Sequence, residues 1–596
     1  MKLRTAALFI ACSALSTAAM AQAGKAPAVN KPIAHNDPGR SGWNPLETKL
    51  TPATVGSADF GPVWSSPQLD SFENTPPRLF SAPLYLQSVK MTGGAHRGKT
   101  FPVTFVTTTT GYAYAISTAA VGGVAPGTIL WRTRLTETPC NKGTLGNYGT
   151  GVIDMKANRF YVTSCSSASG ENLWSAHALD LRSGQQLPGW PVALSQAVID
   201  QPSLNRNGKR TWQLGKKYRY VQRGALVLNG DGSRLYLAFG ADAVGWMLVL
   251  DVPSRKVVSA FSATPDDVQD GGGMWAQGGP ALDEKGRLYV STGSNLQDGI
   301  NLGLESMHPD KQNNWSHSIL QFEDNRTNGL TLTGSYTPYN YCQAGKADID
   351  IGSSPVITVN LPAGTSQTTN LLVLGGGKQG VIYLLDRDKM PGSLTQRQAC
   401  ALDPATDLSL LAPEPQPEWK RRGPISLFKP FSDEYGAFDQ AKSRTSASYY
   451  RDAKGDTYIY VSGASKKGEN FNTSAPPSLA KVKVVASPNA PAHLKVDKLE
   501  MKTTLHNAGS PVISSNGGND AIVWVVDQNA ARTVSLYAAK PPQPILYAFD
   551  AVTLDTIWKS PEGELATTGN YSEVTVANGQ VLVGTDRIQA YGLKSK

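Results

Sequence analysis

GGGMWAQGGPALDEKGRLYVSTGSN, residues 271–295, reads as one hairpin with its lead-in and its exit. Small residues precede a short apolar strand, Gly278-Gly279-Pro280-Ala281-Leu282. A polar turn follows over 283–286, then a second strand over 287–291 closed by Thr292-Gly293. The same grammar returns at Thr150-Gly151-Val152-Ile153-Asp154 with 159–163, and at Gly224-Ala225-Leu226-Val227-Leu228 with 234–239. It recurs at Ser354-Pro355-Val356-Ile357, Ser510-Pro511-Val512-Ile513 and Glu573-Val574-Thr575-Val576. Degenerate self-similarity of this kind marks an array of supersecondary units. In most copies a third strand ends in an apolar-Asp corner, as in Ala178-Leu179-Asp180, Val249-Leu250-Asp251, Leu384-Leu385-Asp386 and Ala548-Phe549-Asp550. A fourth strand often carries Trp, as at Trp131 and Trp558. Four antiparallel strands per repeat describe a β-propeller blade.

Units begin near Leu79, Gly149, Gly224, Gly278, Ser353, Thr445 and Ser510, and a last one runs over 571–593. That last unit holds only three strands' worth of chain, and Phe60-Gly61-Pro62-Val63-Trp64 near the N-terminus supplies the fourth. The expectation is an all-β, eight-bladed β-propeller of four-stranded antiparallel blades, one domain over 60–596, sealed by both ends of the chain. The stretch 401–444, with APEPQPEWKRRGP, reads as an excursion over one face, and 464–478 as a surface loop.

Residues 1–21 have the form of a signal peptide: Lys2 and Arg4, an apolar run, and Ala19-Met20-Ala21 ahead of Gln22. The run is too short to span a membrane. The reading is therefore an exported chain, periplasmic or secreted and not membrane-spanning, with an N-terminal extension over 22–59. Charged residues are 17%, beside 58 Gly and 39 Pro, which suits short strands and turns. The net charge of +9 is spread thinly, without the basic patch and interleaved aromatics of a nucleic-acid partner. Cys140, Cys165, Cys342 and Cys400 remain after cleavage. Of their three connectivities, Cys140–Cys165 with Cys342–Cys400 rearranges a repeat array least. The His residues are scattered singly, which argues against a His-built metal site.

Three stretches carry a resemblance. Trp275 precedes the Asp283 turn and Tyr289-Val290-Ser291-Thr292-Gly293; Thr337-Pro338-Tyr339-Asn340 leads through Asp348 and Asp350 to Gly352-Ser353-Ser354-Pro355. The third is Gly377-Lys378-Gln379-Gly380-Val381-Ile382-Tyr383-Leu384-Leu385-Asp386-Arg387. With these the chain resembles the quinoprotein propellers, the family of pyrroloquinoline quinone (PQQ) dependent alcohol dehydrogenases and their PQQ-like relatives. The resemblance implies that Trp275 lies flat against the quinone, a role a planar indole suits, and that Lys378 contacts the quinone oxygens. It implies Ca2+ held near Ser294 or Asn295 and Glu171, since calcium takes hard oxygen ligands. It places the substrate's base at Asn340, where the family has Asp; an amide cannot take a proton, so Asp348 and Asp350 stand as substitutes. The chain departs further in lacking the family's adjacent Cys-Cys pair and a Cys-X-X-Cys-His haem domain, so electrons would leave to a separate acceptor.

Two functions follow. One is a PQQ-dependent oxidoreductase acting on a small-molecule alcohol or sugar. The other is a cofactor-free PQQ-like propeller that presents one face to a protein partner as a binding or envelope-assembly platform. Fold alone does not choose between them.

Overall fold

The structure is a computed structural model. It describes residues 29–594 except 215–218, 243, 267, 269–270, 296–311, 347, 402–424, 428–442 and 464–477. The expected signal peptide and most of the 401–444 and 464–478 stretches lie outside the described residues.

Eight antiparallel sheets follow one another along the chain, each built on four strands in the order of a blade. Numbered from the first complete blade, their inner strands are Leu84–Lys90, Val152–Asp154, Val227–Leu228, Ala281–Leu282, Val356–Asn360, Ser448–Arg451, Val512–Asn516 and Thr575–Ala577. Blade 8 is completed by Phe60–Ser65, which pairs antiparallel with Ile588–Leu593, so the two ends of the chain seal the ring. A closed ring leaves no blade without a neighbour against which to bury its faces.

The repeating polar positions are turn formers. Between the first two strands, Asp154, Asn229, Asp283 and Asp452 each accept backbone N–H groups of the turn that follows, at 2.9–3.0 Å. At the third-strand corners Asp180, Asp251, Asp386 and Asp550 do the same. These side chains hold the chain in a tight reversal that neither strand could supply. Apolar residues between those turns pack blade against blade: Phe105 and Trp131 of blade 1 share a core with Ile153 and Phe160 of blade 2. The Trp131 indole N–H also donates across that seam to the Leu181 carbonyl at 2.9 Å.

The stretch expected as an N-terminal extension threads the channel of the ring. Lys31 exchanges backbone hydrogen bonds with Tyr85 of blade 1, and the Pro32 carbonyl accepts from Ile153 of blade 2. Arg40 donates to the Leu226 carbonyl at the head of blade 3. The carbonyls of Pro38, Gly39, Ser41 and Gly42 accept from Leu282, Thr358, Tyr449 and Ile513 of blades 4, 5, 6 and 7. Trp43–Asn44 then pairs parallel to the inner strand of blade 7, and the Asn44 amide donates to Val576 of blade 8. One short segment therefore touches all eight blades at or beside their inner strands, and it satisfies N–H groups that would otherwise face the axis unpaired. His35, Asn36 and Arg40 adopt φ of 56°, 71° and 63°, left-handed values that bend the segment round the channel. Arg40 is fully buried, on carbonyls of Ala34, Pro280, Ala225 and Leu226, and His35 Nδ1 meets Glu573 at 2.7 Å.

Both expected disulfides are formed, Cys140–Cys165 and Cys342–Cys400. The second fastens a strap. After blade 5's third strand the chain climbs the outer strand of blade 4, with Gly392 N–H on the Ser335 carbonyl and Ala401 N–H on that of Tyr339, both at 2.7 Å. Cys400 there reaches Cys342 at the rim.

Candidate functional site

Connections from one blade to the next, and loops between second and third strands, emerge on the same face of an antiparallel propeller. The candidate site residues Trp275, Lys378, Asn340, Asp348, Asp350, Glu171, Ser294 and Asn295 all lie in one of these two kinds of loop, so they belong to one face.

Trp275, on the connection from blade 3 to blade 4, is half-buried. Its indole nitrogen stands beside Gly293, where a Cβ would lie 3.5 Å from it. The connection carrying Asp350 presses on the same spot: a Cβ on Gly352 would come within 2.3 Å of the Gly293 nitrogen, so no larger residue fits there. Lys378 follows Gly376 and Gly377, whose φ of 118° and 61° form the turn that lifts it. Its Nζ lies 5.6 Å from the Trp275 ring centre and 2.8 Å from both Asp348 and Asp350. Burial opposes the charge on Lys378, but Asp350 and Asp348 outweigh it and hold the ammonium above the ordinary lysine value. The two carboxylates differ. Asp348 is mostly exposed, whereas Asp350 is buried, with one oxygen on Lys378 and Oδ1 without a hydrogen-bond partner among the described residues.

Trp275, Lys378, Asp348 and Asp350, scattered over about 100 positions of sequence numbering, thus form one contiguous group. Asn295 is buried against Gly271 at the foot of the Trp275 connection, and Ser294 beside it is half-buried. Asn340 is 1% exposed, and neither end of its amide has a partner among the described residues. Glu171 lies half-buried on the same face but in blade 2. Among the described residues no three His, Cys, Asp or Glu side chains gather as a metal site.

Two residues were not singled out by the sequence. His317 is fully buried, its backbone N–H on the Gly293 carbonyl at 2.7 Å. Tyr383 donates to Gln379 Oε1 at 2.6 Å, which leaves the Gln379 amide N–H for His317 Nε2 at 3.2 Å. The proton of the neutral imidazole therefore sits on Nδ1, which has no partner among the described residues. Burial, aided by the charges of Arg397 and Lys378, brings the His317 pKa down to about 3.

The other is Arg223. Its guanidinium lies over three rings, at 5.3 Å from Trp275, 5.7 Å from Tyr148 and 5.9 Å from Tyr571. Tyr148 in turn stacks on Phe80, 4.1 Å between centres. A signal for this group was present in the sequence. Phe80, Tyr148, Arg223 and Tyr571 each stand four residues before the inner strand of their blade, the position at which eightfold repetition converges on the axis.

The sequence matches no protein-family model and no curated protein. Solved structures do match. The quinohemoprotein alcohol dehydrogenase from Comamonas testosteroni aligns over 95% of this chain and 81% of its own, at 14% identity and a TM-score of 0.55. A europium-containing methanol dehydrogenase aligns over 93% and 90%, at 13% identity and a TM-score of 0.55. The likeness is one of fold. Other propellers, such as the WD40 domain of SCAP from fission yeast, align at a TM-score of 0.32, too low to carry any argument.

Proposed function

We propose that this protein is an exported oxidoreductase of the quinoprotein class, periplasmic or secreted, which holds PQQ on Trp275 and oxidises an alcohol or sugar hydroxyl. The observation that carries the reading is the Trp275–Lys378–Asp350 group: a half-buried indole face, a cation 5.6 Å above it, and a buried carboxylate with one oxygen unpartnered among the described residues. A planar, anionic quinone suits that combination, because stacking rewards the flat apolar face and the ammonium rewards negative charge. The donors named for calcium, Glu171, Ser294 and Asn295, do not gather into a cage with other acids among the described residues, and no step is assigned to a metal.

PQQ, when bound, would supply a two-electron acceptor for the substrate. The chain's own part is to hold and to take a proton. Trp275 supports the ring, and Lys378 fixes its orientation while it is itself pinned by Asp348 and Asp350. Asp350 Oδ1 takes the proton of a substrate hydroxyl, a task closed to the Asn340 amide. Such a base contributes about 10²–10⁴ in rate.

The test is addition of PQQ, with and without calcium, followed by desalting and an absorbance spectrum. A retained, stoichiometric chromophore is expected, weakened at least about tenfold in affinity by Trp275→Ala. Absence of any retained chromophore in wild type would reject the reading. The cofactor-free platform with a protein partner on this face would then take its place; the amide at Asn340 is the observation on its side.

A further inference from the structure

The strap that climbs blade 4 ends against both loops that frame the site. Ala401 donates to the Tyr339 carbonyl at 2.7 Å, Gln398 Nε2 to that of Thr337, and Cys400 is bonded to Cys342. Arg397, three residues before that disulfide, is buried. Its guanidinium lies 4.0 Å from the centre of the Tyr341 ring, and Nη1 donates to the Ser316 hydroxyl and carbonyl oxygens at 2.9 and 3.1 Å. These two partners belong to different loops. Ser316 precedes His317, whose N–H is on the Gly293 carbonyl, and Thr292 Oγ1 donates to the Trp315 carbonyl at 2.6 Å, so this loop is fixed to the strand end beside the Trp275 indole. Tyr341 opens the short helix Tyr341–Lys346, which closes with Ile349 N–H on the Ala344 carbonyl at 2.8 Å and leads directly to Asp350. The two loops also meet where Gly352 presses on Gly293. One close contact acts as a pivot, setting a distance and leaving the angle about it free; a second contact fixes both.

We propose that Arg397 is a positioning residue: by joining Ser316 to Tyr341 it fixes Asp350 relative to the face of Trp275, and so governs the rate of proton removal through the loop rather than by contact with the substrate. The inference rests on the reading of Trp275 as the support of a quinone and of Asp350 as the base, and deepens it. A guanidinium lies flat on a ring while its in-plane N–H groups reach a second partner, a combination that the ammonium of a lysine does not offer. Misplacing a reacting group by about 1 Å costs about 10²-fold in rate, so a contact remote from the chemistry carries weight.

The experiment uses the full-length protein with PQQ, and ethanol and glucose as probe substrates in dye-linked turnover, well below the melting temperature. Arg397→Gln should lower kcat about 10–100-fold while KM and the PQQ absorbance retained after desalting stay at wild-type values. Arg397→Lys should recover little of the loss, because it restores the charge without the plane. Tyr341→Leu breaks the same contact from the other side and should reproduce the fall in kcat, whereas Tyr341→Phe, which keeps the ring, should not. In the protein without PQQ, amide hydrogen exchange over residues 341–350 should quicken about tenfold in Arg397→Gln. Unchanged exchange, unchanged kcat, full recovery by Arg397→Lys, or a loss of PQQ binding as large as the loss of kcat would overturn this inference and leave the quinone reading standing. Failure of wild type to retain PQQ would overturn both.

Discussion

Among the described residues Asp350 depends on one cation. It is buried, and Lys378 Nζ at 2.8 Å is the cation that neutralises it. Lys378→Met should strand that carboxylate at a cost of about 3–5 kcal/mol, read as a lower denaturation midpoint. The double variant Lys378→Met with Asp350→Leu should regain part of the loss, since apolar replacement of both partners removes the uncompensated charge. A double variant less stable than the single one would contradict the pairing. At Asn340 a carboxylate would enter a site 1% exposed, where burial raises its pKa. Asn340→Asp should therefore lower the melting temperature while raising dye-linked alcohol oxidation above wild type; unchanged turnover would leave Asp350 as the sole base. Two histidines make a separate prediction. Burial brings His177 down to about 4 and His317 to about 3, so each is neutral when folded and protonates more readily when unfolded, near the free value of about 6.5. Their contribution is complete above pH of about 6.5, and is lost as pH falls through about 4 for His177 and about 3 for His317. Melting temperatures from pH 7.5 to 4.5 should fall less steeply in His177→Gln, and an identical slope would refute the assignment.

Among the elements, the strap that climbs blade 4 is held by a covalent tie, Cys342–Cys400. Replacing Cys342 and Cys400 together with Ser should cost about 2–4 kcal/mol, measured by denaturant unfolding. Proteolysis should then open the 387–401 stretch before the blades; a strap equally protected in the variant would show that its hydrogen bonds to Ser335 and Tyr339 suffice. What was legible in the sequence divides along this scale. Hairpins were legible because each is a local event: an Asp or Asn before a turn, apolar alternation on both sides, and the whole repeated. Closure by Phe60–Ser65 was legible by counting strands. Trp275, Lys378 and Asp350 were legible as motif residues, but not that Asp350 is buried against Lys378 while Asp348 stays exposed. Arg223 was passed over because an Arg ahead of an apolar strand reads as a surface charge until it is set beside Tyr148 and Tyr571 at equivalent places in other repeats. The path of residues 31–44 could not be read, since its partners are backbone groups hundreds of residues away and leave no pattern in side-chain type.

For the whole molecule, that path is a central post to which every blade is fastened. Deleting the chain through Glu47, while keeping the closure strand, should remove several backbone bonds worth roughly 0.5–1.5 kcal/mol each, a loss on the order of 5 kcal/mol. Deletion through residue 66 should do more, because blade 8 then loses its outer strand. Equal melting temperatures for the shorter deletion and the intact chain would contradict the threading. The post also sets a timetable. Lys31 and Pro32 meet blades 1 and 2, but His35 is bound to Glu573, 538 residues further along, so the segment's contacts are complete only when the last blade has been made. Single blades can form early from local contacts, but the native ring has to be assembled around a segment that waits, and loop-closure entropy for such distant contacts must be met at the final step. Refolding should show a late, slow phase reported by Trp43, whose ring meets Tyr449 and Tyr450 only in the finished channel, and that phase should vanish when the segment is deleted.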